Sequence, residues 1–125
     1  WQHVLDVLNG YMLLMQKTYR NNSEFESFNF APNVKQVVTV KDIVSRLSKE
    51  LDFKKVKYRK IISNKESITL RLNPNKSKKL LGWKCKYSIK ECIKITANWY
   101  RSYLDNENMK ICSEKQINDF FANSL

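Results

Sequence analysis

Apolar side chains recur at three- and four-residue spacing along some stretches of this 125-residue chain and at two-residue spacing along others. Leu8, Tyr11, Met12, Met15 and Tyr19 share one face of a helix predicted over residues 6–19, with Asp6 as its cap. Gly10 lies inside that helix, where it costs up to about 1 kcal/mol relative to alanine, so it predicts close packing against another element. Val40, Ile43, Val44, Leu47 and Leu51 line a second helix whose start carries Thr39 and, three residues on, Asp42. Asn73-Pro74 opens a short helix, with Asn as cap and Pro at the first helical position, and Gly82 ends it. Ser88 and Glu91 form a capping-box pair ahead of Ile89, Cys92, Ile93, Thr96, Trp99, Tyr100 and Tyr103, with Tyr87 and Cys92 placed for a hydrophobic staple. A last amphipathic segment surrounds Ile117, Phe120 and Phe121.

Four shorter stretches have strand character: residues 2–5, 28–30, 56–61 and 68–72. In the last, Ile68, Leu70 and Leu72 face one side and Thr69 and Arg71 the other. The expectation is an α/β chain, mostly helices with a few short strands, too few to make an independent sheet. Apolar helix faces outnumber the partners the chain supplies. Together with a first residue that is Trp1 rather than methionine, this predicts one lobe, residues 1–125, of a larger protein.

A hydrophobic content of 42% fills a core and excludes wholesale disorder. No apolar run approaches the roughly 18 residues of a membrane span, and no signal segment opens the chain, so a cytoplasmic protein without membrane contact is expected. Three widely spaced cysteines and one histidine supply neither a disulfide framework nor a zinc site. The net charge of +11 is local: residues 54–94 hold fourteen Lys or Arg against Glu66 and Glu91, while nine bases face ten acids elsewhere. Such a region fits a phosphate backbone. No zinc finger, helix-turn-helix or glycine-rich RNA motif accompanies it, so a basic nucleic-acid-binding module stands as an alternative, as does a degenerate remnant without activity.

Leu80-Leu81-Gly82-Trp83, then Tyr87-Ser88-Ile89-Lys90-Glu91, then Trp99-Tyr100 resemble the C-terminal end of extended short-chain dehydrogenases that modify nucleotide sugars. Trp1-Gln2-His3-Val4-Leu5-Asp6, Phe28-Asn29-Phe30-Ala31-Pro32 and Glu66 through Leu72 extend the resemblance over nearly the whole chain, and the opening segment is most similar to the CDP-glucose 4,6-dehydratase branch. Three places depart from the family pattern: Ala31 stands for a usual Gly, Asn73 for an Asp, and Lys65-Glu66-Ser67 for His-Glu-Ala.

The resemblance implies the C-terminal substrate-binding lobe of such an enzyme, without its Rossmann half. It implies oxidation at sugar C4 by NAD, loss of water across C5 and C6, and return of the hydride to C6. The glycine-rich turn that would hold NAD and the Tyr-x-x-x-Lys pair belong to the other half and have no counterpart in the sequence, whose only glycines are Gly10 and Gly82. No catalytic residue is therefore assigned, and the chain alone is expected to be inactive. Gln2, His3 and Glu66 are the implied substrate contacts, Glu66 at the position aimed at the nucleotide ribose, where a carboxylate accepts from two hydroxyls. Trp1, Trp83, Trp99 and Tyr100 are expected to pack. CDP-glucose is the implied ligand, a GDP-mannose dehydratase or hexose 4-epimerase the alternative within the class, and a homodimer the implied state of the full-length enzyme.

Overall fold

The computed structural model describes residues 1–21, 26–32, 38–53, 56–57 and 71–122. Five helices follow one another: α1 (Val4–Asn21), α2 (Val40–Glu50), α3 (Asn75–Leu81), α4 (Ile89–Leu104) and α5 (Met109–Ala122). α1 packs on α3, and α4 is flanked by α2 and α5. Among the described residues there is no strand.

Three of the helix starts follow from local side-chain chemistry. Thr39 and Asp42 close a reciprocal capping box on α2, and Ser88 and Glu91 close another on α4, with Glu91 accepting from the Ser88 amide at 2.7 Å. Asn108 caps α5, its Oδ1 accepting from the amides of Lys110 and Ile111. Gly82 ends α3 in the left-handed region at φ +66°, where a Cβ is strained. At α3 the cap is displaced: Pro74, not Asn73, is the cap residue, and Asn73 Oδ1 instead accepts from the Asn75 amide at 2.9 Å.

Two strand expectations are corrected. Residues 2–5 are not a strand, because α1 already begins at Val4. Residues 28–30 are extended in sequence character but pair with no strand among the described residues. Their segment is a strap whose carbonyls are satisfied by side chains from elsewhere: Ser27 by Lys76 Nζ (3.1 Å), Asn29 by Ser77 Oγ (2.6 Å) and Phe30 by Gln2 Nε2 (2.8 Å). Most of the expected strands 56–61 and 68–72 lies outside the described residues.

The core gathers where the strap, α1 and the α3–α4 connector meet. Trp83 is fully buried, its ring edge-on to Phe30 at 5.3 Å, and Phe120 of α5 is fully buried with its ring 5.4 Å from that of Tyr87. Cys92, Ile93 and Ala97 bury one face of α4. Gly10 sits against the Phe30 ring so tightly that a Cβ there would come within 2.5 Å of it, which is the close packing its presence in a helix predicted. Tyr100 corrects an expectation: it is 48% exposed, while Trp99, half-buried, stacks on Tyr103 with ring planes 4° apart. Trp1 is also mostly exposed, with its indole N–H donating to the Val38 carbonyl at 2.8 Å.

Candidate functional site at the start of the first helix

The residues before α1 and in its first turn carry several of the long-range polar contacts among the described residues. Gln2 donates through Nε2 to the strap, while its Oε1 is buried with no partner among the described residues. That orphaned acceptor is unusual, since a buried carbonyl-type oxygen without a donor costs about 1–3 kcal/mol.

His3 is 7% exposed. Its Nδ1 accepts from the Leu5 amide at 3.3 Å and its carbonyl from the Asp6 amide at 3.1 Å, so His3 takes the helix-start role that the sequence gives to Asp6. With Nδ1 as acceptor, the neutral ring carries its proton on Nε2. Burial pushes the His3 pKa below its usual 6.5, and the nearby Asp6 charge opposes this only in part. The ring meets Tyr87 edge-on at 5.5 Å. On its other side His3 lines a cavity of about 220 Å³ between the start of α1 and helices α4 and α5, whose walls include Leu5, Thr96, Trp99, Ser113 and Ile117.

Asp6 does different work from capping. It is fully buried; Oδ1 accepts from the Lys86 amide at 2.7 Å, Oδ2 from the Cys85 thiol at 3.4 Å, and its carbonyl from the Trp83 indole N–H at 2.8 Å. One residue thus clasps the whole Gly82–Tyr87 connector to α1. Spacing alone gave no signal of this, because the partners lie 77–80 residues away. Both carboxyl oxygens thus have a donor in their buried setting, and the Trp83 indole satisfies the backbone carbonyl.

Cys85 and Cys92 sit in settings that disfavour the reactive thiolate. Burial first, then the Asp6 charge and hydrogen bond, push Cys85 up to about 12, and burial likewise raises Cys92. Burial also raises the Tyr87 phenol. Among the described residues no cluster of three potential metal ligands exists, and no helix is long and apolar enough to cross a membrane.

Of the three expected substrate contacts, Gln2 and His3 are adjacent but diverge, Gln2 toward the strap and His3 toward the cavity. Glu66 lies outside the described residues. The two glycines do not suit a dinucleotide cradle: Gly10 is packed mid-helix under Phe30, and Gly82 closes a helix rather than opening one.

No family model matches the sequence. A curated relative, CDP-glucose 4,6-dehydratase from Salmonella typhimurium, is 29% identical over 131 aligned positions, covering 98% of this chain and 34% of that protein. The chain matches the C-terminal part of that enzyme. It therefore spans about a third of the length of the relative it resembles. A mostly helical lobe is compatible with such a C-terminal part.

Proposed function

We propose that this chain is the nucleotide-sugar-binding lobe of a 4,6-dehydratase acting on CDP-glucose. The observation that carries the reading is the likeness to one end of CDP-glucose 4,6-dehydratase over nearly the full chain. The site geometry supports binding rather than chemistry. Gln2 Oε1 is an acceptor already desolvated and without a donor among the described residues, and a ligand hydroxyl or amino group would supply one. His3 is held in the tautomer that presents Nε2–H as a donor, suited to a phosphate or hydroxyl oxygen. Glu66 remains the third proposed contact, to the ribose. NAD has no fitting cradle in these residues, so oxidation and elimination fall to another part of the enzyme, and the chain by itself has no dehydratase activity. The complete enzyme, in this reading, is a cytoplasmic homodimer.

Isothermal titration of the complete protein with CDP-, GDP-, UDP- and dTDP-sugars tests this. CDP-glucose is expected to bind tightest, and Gln2→Ala to weaken it about tenfold, the value of one hydrogen bond to a buried acceptor. Preference for another nucleotide overturns the branch assignment, and unchanged affinity in Gln2→Ala removes Gln2 from the site.

A further inference from the structure

The cavity beside His3 is not lined as a packing defect would be. An empty void is walled by apolar atoms, whereas here Ser113, Thr96, Gln116 and His3 join Leu5 and Trp99 in the wall. Trp99 donates its indole N–H to Ser113 Oγ at 3.0 Å and lies 4° from parallel with Tyr103, so the aromatic wall is held from two sides. That bond leaves the Ser113 hydroxyl proton able to donate. Gln116 gives Nε2 to the Ile95 carbonyl at 3.0 Å and keeps Oε1 as an acceptor. His3 has more to gain. It is only 7% exposed, its Nδ1 is occupied by the Leu5 amide, and its Nε2–H has no partner among the described residues. A buried donor left unpaired is destabilising, and a ligand acceptor in the cavity would remove that cost.

We infer that this cavity binds an uncharged six-membered ring carrying a hydroxyl or carbonyl oxygen, which accepts from His3 Nε2–H. Size sets the first limit. At about 220 Å³ the cavity is below the range of about 300–1,000 Å³ that takes a drug-sized ligand, so a whole nucleotide sugar is too large for it. A cavity of about 150 Å³ already holds benzene, so one substituted ring fits. Charge sets the second limit. Among the described residues no Asp, Glu, Lys or Arg lines the cavity, and a buried charge without a partner costs far more than a buried hydroxyl with one. Burial lowers the His3 pKa and keeps the ring neutral near pH 7, so it offers a donor and not a counter-ion. Of the two ligand oxygens that Nε2–H suits, the phosphate is thereby excluded and the hydroxyl or carbonyl retained. The Trp99 ring adds an apolar wall against which a flat ring can pack. The site stands whether or not the chain is a dehydratase lobe; only the source of the ring, one end of a nucleotide sugar or a free small molecule, rests on that reading.

Phenol is the probe, and the readout is the indole N–H signal of Trp99 in nitrogen-15 NMR, with the signals of Trp1 and Trp83 as controls in the same chain. Phenol is expected to move the Trp99 signal saturably, with a dissociation constant of about 1 mM, and to leave the other two in place. Toluene, which lacks the oxygen, is expected to bind at least about fivefold more weakly, and benzoate, which is charged, to leave the signal unmoved. Thr96→Leu fills the cavity and is expected to abolish the phenol response while the circular dichroism spectrum and the Trp1 and Trp83 signals stay unchanged. A Trp99 signal that phenol does not move overturns the proposal. So does toluene or benzoate binding as tightly as phenol, or a phenol response that survives Thr96→Leu. Titrating the complete protein with CDP-glucose in the presence of saturating phenol then identifies the source: a weakened apparent affinity assigns the cavity to one ring of the nucleotide sugar, and an unchanged affinity assigns it to a free small molecule. Phenol binding without any CDP-glucose binding removes the substrate reading and leaves the cavity site standing.

Discussion

Gly10→Ala isolates the close contact between α1 and the strap. The added methyl carbon would lie 2.5, 2.6 and 2.9 Å from three atoms of the Phe30 ring, whereas carbon atoms rest at about 3.5–4.0 Å. The ring must therefore move by about 1 Å. It has little freedom to do so, being buried and edge-on to both Tyr11 at 5.8 Å and the fully buried Trp83 at 5.3 Å. Overpacking of this kind costs about 1–3 kcal/mol, and the better helix propensity of alanine returns up to about 1 kcal/mol. The expected net loss is about 1–2 kcal/mol, read as a lower urea midpoint with unchanged slope. Phe30→Leu removes the atoms that clash, so in that background Gly10→Ala should be neutral or stabilising, and the double-mutant cycle should show a coupling of at least about 1 kcal/mol. A Gly10→Ala chain as stable as the parent, or an equal cost in both backgrounds, refutes the argument that Phe30 dictates the glycine.

Asp6→Ala removes the acceptor for the Lys86 amide and the Cys85 thiol, with an expected loss of about 2–4 kcal/mol by chemical denaturation; Asp6→Asn, which keeps one acceptor, should lose clearly less. Ser88→Ala opens the α4 capping box and should lower stability by about 1 kcal/mol, an effect that Ser88→Asp restores. Because the folded state holds the His3 pKa below 6.5, the unfolded chain binds the proton more readily; stability is full above about pH 6.5, falls as the pH drops toward the lowered folded value, and this slope should vanish in His3→Gln. With its thiol near 12, Cys85 is about one part in ten thousand thiolate at pH 8, so iodoacetamide should leave it unmodified in the folded chain and alkylate it readily in guanidinium; fast labelling of folded protein would contradict the buried setting beside Asp6.

What the sequence made legible was local. The pairs Thr39–Asp42 and Ser88–Glu91 span three residues, Gly82 announces its own backbone, and each does in the fold what its spacing implies. The stripe from Leu8 to Tyr19 also fell on one face as expected, but which neighbour it meets is not written in its period. The errors are non-local. Phe28 to Phe30 has β-type residues, yet Gln2, Lys76 and Ser77 bond carbonyls of its segment and no strand forms there among the described residues. Asp6 has the composition of a cap, but an imidazole three residues earlier took that position and freed the carboxylate for distant donors. Tyr100 shares α4 with buried residues but points away from them, because Trp99 fills the contact with α5 through its indole N–H on Ser113. At the candidate site, Gln2 and His3 were legible from the resemblance, whereas the orphaned Gln2 oxygen and the Asp6 clasp depend on contacts between residues far apart in the chain.

The clasp also sets an order of events. Asp6 is made before its donors on Trp83, Cys85 and Lys86, which follow 77–80 positions later. Closing so long a loop carries a substantial entropy cost and must await the connector. On the ribosome, α1 can coil at once, but its carboxylate stays solvated and its seat unformed until residue 86 has left the exit tunnel. α1 is therefore synthesised well before it is fixed in place.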